Sequence, residues 1–89
     1  MAKFTVYGSN ECPGCQALKK ELEEKNITEF EFKNITGSLP ALKEFLKIRD
    51  TAPEYDAIRA RNGVGIPLIV TPSGKRSFEL PKNLEELYK

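Results

Sequence analysis

The chain switches repeatedly between an apolar period of two and a helical period, and the switches mark out its elements. Lys3–Tyr7 is a short β-type run. From Pro13 to Lys25 the apolar positions Cys15, Leu18 and Leu22 fall on one stripe and the other faces are charged, which predicts an amphipathic helix. Glu21 one turn before Lys25 is a favourable pair, and Asn26 is an end signal. Thr28–Lys33 then alternates polar and apolar residues, predicting a strand with one buried face. Strand, helix and strand within about thirty residues form a βαβ unit, so the two strands should be parallel with a right-handed crossover.

Asn34–Ser38 reads as a turn with Ser38 as a candidate N-cap, after which Leu39, Leu42, Phe45 and Leu46 recur at helical spacing to about Arg49. Thr51-Ala52-Pro53-Glu54 matches a capping box that restarts a helix carrying Tyr55 and Ile58, with Asn62-Gly63 ending it. The region is therefore expected to be long and broken near Asp50. Leu68–Val70 is a buried strand with Pro67 confined to its start, because proline cannot donate to a ladder. Pro72–Lys75 is a hairpin turn, Arg76–Glu79 a returning edge strand, and Asn83 the cap of a last helix bearing Leu84, Leu87 and Tyr88. The order predicts an α/β domain whose mixed four-stranded sheet is flanked by helices.

Composition narrows the picture. Eighty-nine residues with 39 % hydrophobic content make one small domain, spanning 1–89, with one modest core. A net charge of +1 predicts no nucleic-acid or membrane-surface partner, and a monomer is expected. Met1-Ala2-Lys3 leads into a strand with no apolar signal region, and no run is long enough to span a bilayer. A cytosolic (cytoplasmic) location is expected, where thiols stay reduced and a cysteine pair is more often catalytic than structural.

The candidate chemistry lies in Cys12-Pro13-Gly14-Cys15, placed where the first strand turns into the first helix. Pro13 suits the first helical position, since its missing N–H costs nothing there. Cys12 then sits at a helix N-terminus, where free backbone N–H groups and the macrodipole favour a thiolate and make it the attacking sulfur. Cys15 lies about one turn further on, within reach of the first sulfur. Gly14 adds no side chain and leaves the approach open. Glu11 places a negative charge beside Cys12 and should oppose the dipole effect. A zinc site would need two more nitrogen or sulfur ligands, and the chain has no histidine and no third cysteine. The reading is a dithiol/disulfide couple with no metal and no further cofactor. Cys12 attacks a substrate disulfide and Cys15 resolves the mixed disulfide, a step that gains from proximity.

Cys-Pro-Gly-Cys after the first strand, Gly65-Ile66-Pro67 before the third, and the order of elements together resemble a glutaredoxin-like protein of the thioredoxin-fold superfamily, over essentially the whole chain. The resemblance implies a thioredoxin-like fold, with the long broken helical segment preceding a cis Pro67 that lies beside the cysteine pair. It also implies that the backbone of Ile66 pairs with substrate like an added strand, so Pro13, Gly14, Ile66 and Pro67 are the expected substrate-binding residues. The implied activity is reduction of protein or small-molecule disulfides, with a flavoprotein reductase or glutathione as electron donor. The chain departs from the family at three places. Ser9 stands where a basic residue usually holds a glutathione carboxylate, Gly14 where an aromatic residue is usual, and Phe78-Glu79 where paired glycines and acidic residues grip the other end. Lys75 and Arg76 are basic and could reach a carboxylate, but they read first as solvated turn residues, and the protein is expected to handle glutathione poorly. A second reading makes the same surface hold an iron–sulfur cluster between two chains, with Cys12 as ligand, although a second thiol one turn away competes with that use.

Overall fold

Phe4, Val6 and Ile69 bury their side chains on one face of a sheet, while Tyr7 and Leu68 bury theirs on the other. This is the period of two along a strand carried into space. A computed structural model describes residues 3–61 and 63–88. Its strands are β1 (Phe4–Gly8), β2 (Phe30–Asn34), β3 (Leu68–Val70) and β4 (Arg76–Ser77), in the spatial order β2-β1-β3-β4. β1 and β2 are parallel, pairing Phe4 with Phe30 through Gly8 with Asn34. β3 is antiparallel to both β1 and β4, with Tyr7 opposite Leu68 and Thr5 opposite Val70. The protein is thus an α/β domain built on a mixed four-stranded sheet. Among the described residues, no helix is long and apolar enough to cross a membrane.

Helix α1 (Pro13–Glu24) buries Cys15, Leu18 and Leu22 against the first sheet face. It ends where Asn26 takes a left-handed φ of 57° and Ile27 N–H reaches back to Leu22 O at 2.9 Å. That is a Schellman-type stop, and Ile27 packs on the same core. The reversal keeps Thr28 and Glu29 out of the strand that was expected to include them, so β2 begins at Phe30. β2 is an edge strand, and Phe30 and Phe32 cover the core only in part.

Helix α2 (Leu39–Thr51) opens on Ser38, whose Oγ accepts from Ala41 N–H, and packs Phe45 into the second core with Tyr55 and Leu68. The expected capping box at Thr51 and Glu54 does not form. Thr51 is still helical, and its hydroxyl donates back to Lys47 O. The break comes instead at Ala52, which is extended (ψ 132°) because the ring of Pro53 disfavours helical backbone before it. A 3-10 turn (Pro53–Tyr55) and a short helix α3 (Asp56–Ala60) follow. Asn62, expected to help end that helix, and Met1-Ala2, expected to lead into the first strand, lie outside the described residues.

The returning edge strand is only Arg76–Ser77, shorter than the expected Arg76–Glu79, because Ser77 turns its hydroxyl onto Glu79 O and accepts from Glu79 N–H. The expected last α-helix is a 3-10 helix (Leu84–Tyr88), with Asn83 Oδ1 accepting from Glu85 N–H. Its Leu87 is buried against α1 and β1 residues.

Candidate functional site

The first helix, the end of β1 and the segment before β3 meet at the cysteine pair. Cys12 is the N-cap of α1, in extended backbone (φ −95°, ψ 118°), with Pro13 beginning the helix. Its carbonyl accepts from Gln16 N–H at 3.0 Å and its N–H donates to Ser9 O at 3.2 Å. Both cysteines are free thiols, Cys12 partly exposed and Cys15 fully buried. Gly14 is exposed, as the open approach requires.

Burial raises the Cys12 pKa, but hydrogen bonds from the Cys15 thiol and from the backbone N–H groups of Cys15 and Gly14 outweigh it and hold the value below that of an ordinary thiol. The carboxylate of Glu11 is not among the groups that set it, contrary to the sequence expectation. Glu11 is exposed, and water screens its charge. Burial pushes Cys15 up to about 11; a Ser9 backbone donor pulls against this, while hydrogen bonding to Cys12 and the Cys12 charge add to it. The two sulfurs are therefore driven apart, the outer one toward thiolate and the inner one toward thiol.

The Ile66–Pro67 peptide bond is cis, and Pro67 lies beside the pair. A Cβ placed on Gly14 would stand 3.7 Å from Pro67 Cδ and 3.8 Å from Cys12 Sγ, so the ring and the Cys12 sulfur face the same spot. Ile66 lines a groove of about 540 Å³ that ends on Cys12, together with Ile35, Leu42 and Val64. Pro13, Gly14, Ile66 and Pro67 are thus gathered around Cys12 and Cys15.

Lys75 and Arg76 are not. β3 runs away from the cysteine end, so the hairpin turn after Val70 lies at the Thr5 end of β1. Arg76 is also occupied, its guanidinium forked onto Glu54 at 3.0 and 3.1 Å. Ser9 lines the groove but offers it no charge, where a basic residue would. It is buried, its Oγ bonded to Thr36 Oγ1 at 2.8 Å and accepting from Glu11 N–H at 3.0 Å, so it braces the loop that carries Cys12.

Several positioning residues escaped the sequence reading. Gly8 is one: a Cβ there would meet Cys15 Sγ at 2.9 Å and Phe32 Cε1 at 3.1 Å, so only glycine lets the inner thiol lie on the end of β1. A glycine closing a strand four residues before a Cys-x-x-Cys was the available signal. Arg49 is another, its guanidinium donating to Gly63 O at 2.8 and 3.0 Å and holding the segment that leads to Ile66. Among the described residues, no group of three or more His, Cys, Asp or Glu side chains is arranged for a metal ion.

No family model matches the chain, and no solved structure matches it. An uncharacterized protein of Haemophilus influenzae is 30 % identical to it over 82 residues, which cover 92 % of this chain and 94 % of that protein. With that identity running nearly end to end in both proteins, the chain belongs to the same family as the Haemophilus influenzae protein.

Proposed function

We propose that the protein is a thiol–disulfide oxidoreductase of glutaredoxin-like type, with a thioredoxin-like arrangement of its α/β elements. The reading rests on one observation above the others: a partly exposed free Cys12 at the N-cap of α1, with a buried free Cys15 one turn inside the same helix. A lone structural thiol has no use for such a partner. The ring of Pro67 beside the pair supports the same reading, as does the groove that Cys12 lines.

In this mechanism the Cys12 thiolate attacks one sulfur of a substrate disulfide. The substrate S–S bond breaks, and the leaving thiolate takes a proton from water. The Cys15 thiol gives up its proton as it attacks the Cys12 sulfur, and the second substrate thiolate leaves and is protonated. The substrate has gained two electrons and two protons, and the protein holds a Cys12–Cys15 disulfide that an external dithiol or flavoprotein reductase must reduce. The resolving step is intramolecular, which is worth several kcal/mol in proximity alone.

The test is turnover of hydroxyethyl disulfide and of a disulfide-linked peptide. Cys12→Ser should abolish both, whereas Cys15→Ser should accumulate a mixed disulfide on Cys12 visible by mass. Faster alkylation of Cys15 than of Cys12 at neutral pH would refute the assignment of roles.

A further inference from the structure

Among the described residues the large hydrophobic side chains left exposed are Leu39 at 62 %, Val64 at 51 % and Phe78 at 39 %. Two of them border the cysteine site directly. Val64 lines the groove that ends on Cys12. Phe78 lines a second hollow, of about 280 Å³, on the Gly14 and Pro67 side of the same sulfur. Phe78 is also held in place, edge-on to the buried ring of Tyr55 with centroids 5.2 Å apart. Leu39 stands one turn before Leu42, whose side chain lines the groove. Exposed apolar surface gathered at one place marks a contact surface.

Among the described residues, the charged side chains that line the groove and the hollow carry one sign, while the nearby Arg49 is bound to Gly63 O. Glu11 is the charged residue of the groove, and Glu21 and Glu79 are those of the hollow. Lys19 lies outside the groove, its ammonium on Asn10 Oδ1 at 3.3 Å and over the Phe32 ring at 4.4 Å. Lys75 and Arg76 lie at the far end of β3, where Arg76 pairs with Val70. An anionic occupant would meet carboxylates on both sides of the sulfur, and a cationic one would be drawn in.

We infer, on the basis of the oxidoreductase reading, that the oxidised substrate is a polypeptide disulfide whose half-cystine is flanked by a bulky apolar side chain and by basic residues. The apolar side chain seats against Leu42, Val64 and Ile66. The chain on the other side of the sulfur passes over Pro67 toward Phe78. A polypeptide extends past its sulfur in both directions and fills groove and hollow together, as a small disulfide does not.

Single-turnover rates of the fully reduced, full-length protein test this without any added reductant. The oxidants are two disulfide-linked peptides of equal length, one with leucine and lysine around the cystine and one with serine and glutamate, plus glutathione disulfide and hydroxyethyl disulfide. The leucine–lysine peptide should react at least about tenfold faster than the serine–glutamate one, since burying one leucine is worth about 1.5–3 kcal/mol. Raising salt from about 0.1 M to about 1 M, which shortens screening from about 10 Å to about 3 Å, should narrow that ratio. Val64→Ser should narrow it further. Equal rates for the two peptides, or glutathione disulfide as fast as the leucine–lysine peptide, would overturn the inference while hydroxyethyl disulfide is still reduced. Failure to reduce hydroxyethyl disulfide would instead remove the oxidoreductase reading, and the inference with it.

Discussion

The phenol of Tyr55 donates a 2.7 Å hydrogen bond to the carbonyl of Gly65, and its ring fills the space that a Cβ at position 65 would occupy. Tyr55 is wholly buried, stacked edge-to-face on Phe45 in the second core. The second core and the segment that leads to Pro67 are therefore joined by one side chain, two residues before Pro67. Burial pushes the Tyr55 phenol up to about 12, so it stays a donor throughout the physiological range.

Replacing Gly65 should therefore be costly twice over. Its φ of +80° is strained for a residue with a Cβ, and that Cβ would collide with the Tyr55 ring. Gly65→Ala should destabilise the fold by about 3 kcal/mol or more, from backbone strain and overpacking together. Tyr55→Phe keeps the ring and removes only the donor, and should lose about 1–3 kcal/mol. Urea unfolding measures both, and a Gly65→Ala protein within about 0.5 kcal/mol of the parent would contradict the contact.

Gly8 makes a second prediction. A methyl at this position would press on Cys15 Sγ and on the Phe32 ring, both held by the packed core. Gly8→Ala should lose about 1–3 kcal/mol of stability. It should also lengthen the lifetime of a mixed disulfide on Cys12, because the resolving sulfur is displaced. Stopped-flow decay of that species, compared with the parent, is the measurement; an unchanged lifetime would count against Gly8 as a positioning residue.

The pH dependence follows from the opposite displacement of the two thiols. The thiolate is the reactive form, so Cys12 alkylation should rise with pH through a midpoint below that of an ordinary thiol. Cys15 should stay silent until the pH approaches about 11. Cys15→Ala removes a thiol donor to Cys12 and should move the Cys12 midpoint upward. In linkage terms, the depressed Cys12 contributes stability above its unfolded pKa that is lost as pH falls through its folded one. The raised Cys15 contributes stability below its unfolded pKa that is lost as pH climbs toward about 11. Iodoacetamide rates across pH decide it, and a common midpoint for both cysteines would be the contrary result.

Glutathione should be a poor partner. It is anionic at both ends, and among the described residues those lining the groove and hollow beside Cys12 include carboxylates and no Lys or Arg. Each missing charge-assisted hydrogen bond is worth about 1.5–3 kcal/mol, so two such losses weaken recognition by about a hundredfold or more. Turnover of a glutathione mixed disulfide should accordingly be slow, and Lys75→Ala or Arg76→Ala should not change it. A fast rate that drops in either variant would show that these side chains reach the site after all.

Local signals carried much of this protein. Pro13 at the first position of α1, the Cys15–Leu18–Leu22 stripe, Asn26 as its stop and Ser38 as the cap of α2 are each readable from a few neighbouring residues, and the structure has them all. Such features depend on backbone sterics and side-chain spacing within one or two turns, which a linear chain states outright. The capping box at Thr51 misled because the local motif competed with a stronger local constraint, the ring of Pro53 acting on Ala52.

What folding alone decided lies between residues far apart in the chain. Ser9 bonds Thr36, Arg49 holds Gly63, Tyr55 holds Gly65, and Gly8 makes room for Cys15 against Phe32. Lys75 and Arg76 read as solvated turn residues that could still reach a carboxylate, and it is the antiparallel run of β3 that puts them at the opposite end of the sheet. Periodicity says which face of an element is apolar, but the partner of that face, and the end of the sheet at which a side chain emerges, are set by strand order and direction. The cysteine pair could therefore be read from nine consecutive residues, Tyr7 to Cys15, whereas the groove, the apolar collar and the carboxylates around it exist only once the strands have chosen their neighbours.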